Sequence, residues 1–318
     1  MTGLAFIFPG QGSQEIGMGK ALADAFPAAR AVFAEVDDAL GQNLSKLMWD
    51  GDIAELTLTA NTQPALMAHS VAAMRALEAA SGLSAANARF VAGHSLGEYS
   101  ALASAGAISL ADTARLLRIR GNAMQGAVAA GEGAMAALLG ADVAQAEAAC
   151  VAGRATGGVC EIANDNAPGQ LVLSGSKAAI DAACEHAKAN GVKKAMALNV
   201  SAPFHCSLMQ PAADAMAEAL FGVTINAPVV PVVANISAAP TSDPDTIRQN
   251  LIDQVTGRVR WSESVQFMVG QGVTSTAEAG AGKVLTVMQR RIEKSLNGFT
   301  LGTPEDIEAF AAVILQET

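Results

Sequence analysis

One octapeptide organises this chain: Phe90-Val91-Ala92-Gly93-His94-Ser95-Leu96-Gly97. Its first three residues are too apolar and too few for a surface helix, so they predict a buried strand. The Ala-rich stretch that follows, from Leu96 to about Ala105, predicts a helix. Glycines on both sides of Ser95 permit a tight elbow that lifts the serine hydroxyl to the helix N-terminus, where free N–H groups stabilise an oxyanion. We therefore predict that Ser95 is a nucleophile that forms an acyl-serine intermediate.

Strand and helix patterns alternate on both sides of this elbow. Leu4–Phe8 predicts a second buried strand, which ends at the loop Pro9–Gln14. Helical patterns run over Gly19–Leu40, Gln63–Ala80 and Leu110–Ala130. Such alternation is typical of an α/β fold with a mostly parallel sheet.

The pattern changes after Ala130-Gly131-Glu132-Gly133, which we interpret as a flexible joint. The following elements are predicted in the order β-α-β-β-α-β: Ala134–Leu139, Val143–Ala152, Val159–Ala163, Gln170–Ser174, Ala178–Ala189 and Lys193–Val200, with a turn over Asn164–Gly169. This order is the ferredoxin-like arrangement. Because the first pattern resumes at Val229–Ile236, we predict a core of residues 1–130 and 201–318 that carries an inserted subdomain of residues 131–200.

Composition excludes several classes of function. The 318 residues are 51% hydrophobic and 16% charged, as in a well-packed globular protein. The net charge of −10 argues against nucleic acid as a partner, because phosphate binding needs a basic face. No apolar run approaches the roughly 20 residues of a membrane span, and Leu4–Phe8 has no basic flank of a signal peptide. We expect a cytoplasmic protein that does not bind membranes.

The cysteines predict neither a metal site nor a disulfide framework. Their spacing matches no metal-ligand pair and no pattern of bridges: Cys150, Cys160, Cys184 and Cys206. We therefore expect reduced thiols and no bound metal.

A serine nucleophile needs a base, and the chain has four histidines. His186 lies on a polar helix face and is predicted to be solvated, and His69 is predicted to pack inside its helix. His94 neighbours Ser95 in the elbow, so its side chain should point away and support the site. His205 follows a strand end and Pro203, in a loop that returns from the insertion. It is the best candidate.

Arg120 lies on the wrong side of its helix for a solvated cation. At 100° per residue it falls among Leu117 and Met124, opposite the sector that holds Arg118 and Asn122. An unpaired buried charge is very costly. Arg120 is therefore predicted either to form an internal ion pair or to hold a substrate carboxylate through a bidentate contact.

Four motifs together resemble the family of malonyl-CoA:acyl-carrier-protein transacylases, the stand-alone acyltransferases of bacterial type II fatty-acid synthesis. The resemblance extends in matching order from about Leu4 to about Leu296. The motifs are Pro9-Gly10-Gln11-Gly12-Ser13-Gln14, Gly93-His94-Ser95-Leu96-Gly97-Glu98-Tyr99, Arg120-Gly121 and Pro203-Phe204-His205.

The resemblance implies a hydrolase-like core with an inserted ferredoxin-like subdomain. It implies that Ser95 is the nucleophile and His205 the general base and acid. Gln11 and the backbone N–H of Leu96 would form the oxyanion hole, and Arg120 would bind the malonyl carboxylate. The implied reaction moves a malonyl group from malonyl-CoA to the phosphopantetheine thiol of an acyl carrier protein, with no cofactor. We expect a monomer.

Further positions follow from the same resemblance. Gln254 aligns with the residue whose main-chain carbonyl orients the histidine, so no acidic third member of a triad is implied. Asn166 matches a position near the site on the small subdomain. Phe204 matches a bulky residue that crowds a branched methylmalonyl group, and Met124 is also predicted to contact substrate.

An acidic chain needs a local basic patch if it is to attract an acidic carrier protein. The densest basic residues follow Gly280-Ala281-Gly282: Lys283, Arg290, Arg291 and Lys294. They are the candidate docking site, and a solvated helix end is the alternative.

Three other functions compete with this one. A serine esterase or thioesterase would normally have an acidic triad member and no buried Arg120. An acyltransferase of a polyketide or polyunsaturated-lipid pathway is the second alternative, and a module kept only for docking is the third. Nucleotide binding by Gly10-Gln11-Gly12 fails, because the third glycine of G-x-G-x-x-G would fall at Glu15.

Overall fold

The computed structural model describes residues 3–316, which form two sheets with their helices. The strands are β1 Leu4–Phe8, β2 Phe90–Gly93, β3 Gly133–Leu139, β4 Cys160–Ala167, β5 Gln170–Ser176, β6 Lys194–Ala197, β7 Val232–Val233, β8 Pro240–Thr241, β9 Ser275–Glu278 and β10 Asn297–Thr300. The helices are α1 Lys20–Ala25, α2 Pro27–Leu40, α3 Leu44–Asp50, α4 Ile53–Thr57, α5 Thr59–Ser81, α6 Gly97–Ser104, α7 Leu110–Gly126, α8 Val143–Arg154, α9 Lys177–Ala189, α10 Gln210–Phe221, α11 Pro244–Asp253, α12 Trp261–Gly270, α13 Val284–Ile292 and α14 Pro304–Gln316.

The larger sheet has the strand order β10-β9-β1-β2-β7-β8 and is parallel except for β8. Side chains of β1 alternate between its two faces: Phe6 and Phe8 join one hydrophobic cluster, and Ala5 and Ile7 join another. A parallel sheet covered on both faces requires apolar residues throughout, which is why β1 is a continuous hydrophobic run.

The smaller sheet has the order β4-β5-β3-β6 and is antiparallel. Helices α8 and α9 pack against each other, and their alanines and cysteines join a separate hydrophobic cluster with Leu138, Leu171 and Leu173. The predicted α/β fold with a ferredoxin-like β-α-β-β-α-β unit is confirmed. The boundaries of that unit at residues 131 and 200 stay a prediction.

Several predicted elements have different limits in the structure. The helical pattern predicted over Gly19–Leu40 forms two helices, because Pro27 cannot continue α1 and instead begins α2 after an extended Phe26. The turn predicted over Asn164–Gly169 is wrong. Strand β4 continues to Ala167, so the turn contains only Pro168 and Gly169, and Gly169 has a φ of 75°.

Two other strands are shorter than predicted. The last strand of the small sheet was predicted over Lys193–Val200 and covers only Lys194–Ala197. The run Val229–Ile236 forms only the two-residue strand Val232–Val233. Apolar runs predict burial, whereas the strand limits depend on the pairing partner, which a single sequence does not reveal.

The two sheets are joined at the β4 strand. Asp165 N–H donates to the Val259 carbonyl at 2.9 Å, and Val259 N–H donates to the Ala163 carbonyl at 2.8 Å. The second half of β4 therefore lies against the segment that precedes α12 in the core. This contact places Asn164 and Asn166 at the junction of the two units.

The four cysteines are buried and free. Over residues 3–316, no three His, Cys, Asp or Glu side chains are arranged to hold a metal ion. In the same part of the chain, none of the helices combines the length and hydropathy that crossing a bilayer requires.

Candidate active site

Ser95 occupies a strained elbow between β2 and α6, with a φ of 53°. Glycine is required on both sides of it. A Cβ on Gly93 would lie 1.9 Å from the carbonyl carbon of Gly97, and a Cβ on Gly97 would lie 2.2 Å from the carbonyl oxygen of Phe8. The two glycines therefore let β1, β2 and α6 approach closely enough to hold the serine in the left-handed region.

The side chain of Asn235 fixes this elbow from the neighbouring strand. Its Oδ1 accepts a hydrogen bond from Ser95 N–H at 2.6 Å, and its Nδ2 donates to the Gly93 carbonyl at 2.6 Å. Asn235 is fully buried and follows β7. One amide group thus holds the chain on both sides of His94.

His205 is positioned to act as the base for Ser95. The Ser95 Oγ and the His205 Nε2 lie 2.8 Å apart, and the His205 Nδ1 lies 2.9 Å from the main-chain carbonyl of Gln254. Because a carbonyl only accepts, Nδ1 carries the proton in the neutral ring and Nε2 presents its lone pair to the serine hydroxyl. Burial, together with the charge of Arg120, lowers the pKa of His205 to about 3. The imidazole is therefore neutral and able to accept a proton at pH 7.

Arg120 is 1% exposed and reaches the nucleophile from α7. Its Nη1 donates to Gln63 Oε1 at 2.9 Å, and its Nη2 donates to Gln254 Oε1 at 2.9 Å and to Ser95 Oγ at 3.2 Å. The guanidinium carbon lies 5.7 Å from the centre of the Tyr99 ring.

Arg120 contacts only neutral groups. Within residues 3–316 no carboxylate lies within ion-pair distance of it, so the internal ion pair left open by the sequence is not formed. Its Nε is buried and has no hydrogen-bond partner in that range. Burial lowers the pKa of the guanidinium, yet arginine remains protonated in proteins. A buried cation with an unused donor fits an anionic ligand.

A cavity of about 200 Å³ contains these groups. It opens where β1 and β2 end, the edge at which open α/β sheets bind ligands. Nine residues singled out in the sequence line it: Gln11, His94, Ser95, Leu96, Arg120, Met124, Asn166, Phe204 and His205. The structure thus brings most of the predicted site together, although the roles of the individual residues stay predictions.

Comparison with known proteins agrees with this geometry. Residues 5–296 match the family model of the acyl transferase domain. The malonyl CoA-acyl carrier protein transacylase of Escherichia coli strain K12 is 45% identical over 97% of this chain and 99% of its own length. The chain belongs to the malonyl-CoA:acyl-carrier-protein transacylase family.

Solved structures of the family superpose closely on this chain. The acyl-carrier-protein S-malonyltransferase of Bartonella henselae is 56% identical, with a TM-score of 0.95 over 98% of this chain and 99% of its own. A malonyl-transacylase solved in complex with its type II PKS acyl-carrier protein is 40% identical, with a TM-score of 0.94 over 98% and 99% of the two chains.

The two backbone N–H groups expected to form the oxyanion hole have no partner in the described part of the chain. The backbone N–H groups of Gln11 and Leu96 donate to no protein acceptor within residues 3–316. The Gln11 side chain is held instead by Thr59, to whose Oγ1 it donates at 3.4 Å. Gln11 and Leu96 line the cavity that contains Ser95, and the donation of their N–H groups to a developing oxyanion stays a prediction.

His94 links the elbow to the inserted unit. Its Nε2 donates to Asn166 Oδ1 at 2.8 Å, and its ring packs edge-on against Trp261 at 5.7 Å. Burial lowers the pKa of His94. The side chain makes no hydrogen bond to Ser95 Oγ but lines the same cavity, and the supporting role predicted for it stays a prediction.

The basic residues proposed for carrier docking lie elsewhere. All four are exposed and lie outside the cavity: Lys283 just before α13, Arg290 and Arg291 in its last turn, and Lys294 just after it. Lys283 and Arg291 flank a shallow groove that Val284, Val287 and Met288 also line. Their role in docking stays a prediction.

Three polar residues of the site were not predicted from the sequence. Gln63 contacts Arg120, and Asn235 contacts Ser95. Glu98 contacts both Asn235 and Gln254. Glu98 belongs to the recognised motif, and Gln63 precedes a proline in an otherwise buried helix. Glu98 and Gln63 are both polar residues among apolar neighbours on a helix, which is the same signal that singled out Arg120. Asn235 gives no such signal.

Proposed function

We propose that this protein transfers a malonyl group from malonyl-CoA to the phosphopantetheine thiol of an acyl carrier protein, through a malonyl ester of Ser95, and so supplies fatty-acid chain elongation. One observation carries the proposal. The fully buried Arg120, which contacts no carboxylate among residues 3–316, lies 3.2 Å from the hydroxyl of a serine that is paired with a neutral histidine.

In the first half-reaction, Ser95 Oγ bonds to the thioester carbonyl carbon while its proton passes to His205 Nε2. The carbonyl oxygen becomes an oxyanion, which the N–H groups of Gln11 and Leu96 stabilise; loss of one such donor typically costs about 100- to 1,000-fold in rate. Collapse of the tetrahedral intermediate breaks the carbon–sulfur bond, and His205 returns the proton to the departing CoA sulfur. The Gln254 carbonyl holds the His205 ring in orientation during both transfers.

The second half-reaction reverses these steps with a new thiol. His205 accepts the proton of the phosphopantetheine thiol as the sulfur attacks the malonyl ester. Collapse breaks the bond between the carbonyl carbon and Ser95 Oγ, and the proton returns to the serine. No cofactor enters either half-reaction.

Arg120 would select the acyl group. A charge-assisted contact between the guanidinium and the malonyl carboxylate is worth on the order of 1.5–3 kcal/mol, which favours malonyl over acetyl by tens- to a hundred-fold. Phe204, which lines the cavity beside His205, would crowd a branched acyl group. Met124 and Asn166 line the same cavity and would contact the substrate.

The carrier protein would dock at the four exposed basic residues at α13. A family member solved with its acyl-carrier protein supports that class of partner. The free, buried cysteines are compatible with a reducing cytoplasm, and we further propose that the protein acts there as a monomer.

A carrier-dependent acyltransferase of a polyketide pathway is the second candidate, because the carrier in that same complex is of the type II PKS class. Both functions share the malonyl-Ser95 step. They differ in the carrier protein that accepts the malonyl group.

Intact-mass analysis tests the proposal. The protein is incubated with malonyl-CoA or acetyl-CoA and then with phosphopantetheinylated carrier protein. We expect a malonyl adduct that is absent in Ser95→Ala and that moves to the carrier. An adduct that persists in Ser95→Ala, or release of free malonate faster than transfer, would contradict the proposal.

A further inference from the structure

Glu98 is a buried carboxylate that takes no part in the chemistry described above. It is 1% exposed, and no cation lies within ion-pair distance of it within residues 3–316. Its Oε2 accepts two hydrogen bonds, from the Asn235 backbone N–H at 2.9 Å and from Gln254 Nε2 at 2.8 Å. Burial of an acid without a cation is costly, and hydrogen bonds offset only part of that cost.

The hydrogen bond from Gln254 to Glu98 determines which end of the Gln254 amide faces Arg120. Gln254 Nε2 donates to Glu98 and also to the Ser95 carbonyl, at 3.1 Å. The Ser95 carbonyl only accepts, so the amide turns its NH₂ group toward that carbonyl and Glu98, and its oxygen toward Arg120 Nη2, 2.9 Å away. Glu98 therefore acts on the guanidinium through one amide group.

The bond from Asn235 connects the same carboxylate to the nucleophile. The backbone N–H of Asn235 is bound to Glu98, while its side chain holds Ser95 N–H and the Gly93 carbonyl. Glu98 is thus hydrogen-bonded both to Asn235, which holds the elbow at Ser95, and to Gln254, whose amide oxygen accepts from Arg120.

We propose that Glu98 is a positioning residue that fixes Arg120 relative to Ser95, through Gln254 and Asn235, and thereby sets the preference for an acyl group that carries a carboxylate. The inference rests on the proposed function, since the preference is defined by malonyl loading. Charge supports it. Burial raises the pKa of Glu98 to about 7, and the hydrogen bonds from Asn235 and Gln254 and then the positive charge of Arg120 oppose that rise.

Two substitutions separate the hydrogen bonds from general packing. Glu98→Gln keeps a carbonyl oxygen that can accept from both Asn235 and Gln254. Glu98→Met has a similar length and no comparable acceptor. We expect the ratio of kcat/KM for malonyl-CoA to that for acetyl-CoA to fall at least tenfold in Glu98→Met and to stay within threefold of the parent in Glu98→Gln. Ser95 acylation is followed by intact mass.

Glu278 provides the matched control. It is also a fully buried acid, and it accepts from the backbone N–H groups of Leu285 and Thr286 at the start of α13, outside the cavity. Glu278→Met and Glu278→Gln should lower the free energy of unfolding and leave the malonyl-to-acetyl ratio within twofold of the parent.

The outcomes are distinct. Equal losses for both substrates in Glu98→Met would mean a merely structural role and would overturn the inference. If Glu98→Met does not fold, Gln254→Met decides instead. It removes the link between Glu98 and Arg120 while the main-chain carbonyl to His205 remains, and an unchanged ratio would overturn the inference. A parent protein that does not accept malonyl from malonyl-CoA would refute the proposed function itself.

Discussion

Ser95 and His205 both have a left-handed backbone, with φ values of 53° and 57°, and their Oγ and Nε2 atoms meet at 2.8 Å across 110 residues of sequence. A non-glycine residue in this region costs on the order of 1–3 kcal/mol and persists only where its surroundings hold it there. Asn235 holds the first residue, and the Gln254 carbonyl holds the second by its ring. Two of the three non-glycine residues with a left-handed backbone among residues 3–316 are therefore the groups that exchange the proton.

Removal of the base should slow acylation without abolishing substrate binding. We expect His205→Gln to lower kcat for malonyl loading by about 10²- to 10⁴-fold, because general base catalysis contributes that much, while KM changes little. Rapid-quench intact mass measures the loading rate. His186→Gln, at a half-buried surface histidine, is the control and should load at the parental rate. A His205→Gln variant within fivefold of the parent would show that another group accepts the proton.

The pH profile of loading should lack the titration of an ordinary histidine. His205 with a pKa of about 3 remains neutral at pH 5.5, so kcat/KM for malonyl-CoA should keep at least half of its pH 8 value. A base with the usual pKa of about 6.5 would lose about tenfold over the same range. Because Glu98 has a pKa of about 7, the profile is measured in Glu98→Gln as well. A sigmoidal loss centred near pH 6.5 in both proteins would contradict the prediction.

The stability of the fold, unlike the loading rate, should fall at acid pH. It therefore sets the lowest pH at which the rate can be measured. Histidines of the unfolded chain have a pKa near 6.5. Burial lowers the pKa of folded His205 to about 3 and that of folded His69 to about 4. The stabilisation that comes from their neutral burial is present above pH 6.5 and is lost as the pH falls below it, by up to about 1.4 kcal/mol per pH unit for each group. Far-UV circular dichroism at each pH verifies that the protein is folded when its rate is measured.

The elbow glycine should be intolerant of a single methyl group. In Gly97→Ala the new Cβ would meet the Phe8 carbonyl oxygen at 2.2 Å, and backbone of β1 cannot move aside as a side chain could. We expect a loss of about 3 kcal/mol or more in the free energy of unfolding and no acyl adduct. Gly126→Ala is the control: it ends α7 with no atom within 4 Å of the new Cβ, and it should be neutral or stabilising by up to about 1 kcal/mol. Urea unfolding measures both variants, and equal values for the two would contradict the prediction.

The parts of this fold that local pattern determines could be predicted from the sequence. The continuous apolar run of β1 predicts a doubly covered strand, and the glycines around Ser95 predict an elbow, since both depend on neighbouring residues only. Arg120 stood out because a charge on an apolar helix face is an exception that pattern analysis detects. Pro27 is a local signal of the same kind, because a proline inside a helical pattern marks the start of a new helix.

The hydrogen-bond network around the nucleophile could not be predicted in this way. Asn235 follows a two-residue strand, and nothing near it in sequence indicates that its amide will hold Ser95, 140 residues away. The side chain of Gln254 joins Arg120 to Glu98 only because α7, the end of α11 and α6 converge. Contacts of this kind depend on tertiary packing, so only a three-dimensional structure reveals them.

Arg120 should determine the choice of acyl group. Arg120→Gln removes the charge and keeps a hydrogen-bond donor, and we expect kcat/KM for malonyl-CoA to fall tens- to a hundred-fold while that for acetyl-CoA falls by no more than about threefold. Competition between the two thioesters, read by intact mass, gives the ratio directly. Arg118→Gln is the control on the same helix, because that side chain contacts Gln42 and Asn61 away from Ser95. A preserved malonyl preference in Arg120→Gln would place the carboxylate elsewhere.

Charge reversal at α13 should separate carrier docking from substrate loading. Arg290 and Arg291 are exposed and lie outside the cavity, so Arg290→Glu with Arg291→Glu should leave malonyl loading of Ser95 within twofold of the parent. Transfer to an acidic carrier depends on attraction to a local basic patch, and we expect its KM to rise about tenfold, with a smaller effect at high salt.

The control for this experiment changes the net charge equally at another place. Lys46 and Arg89 are exposed, and Arg89 precedes β2, at the edge of the sheet opposite Ser95. Lys46→Glu with Arg89→Glu shifts the net charge by the same amount as the α13 pair. If both pairs raise the KM for carrier protein equally, only overall charge matters. An unchanged KM in the α13 pair would mean that the carrier binds at another face. These arginines would then only interact favourably with the C-terminal dipole of α13.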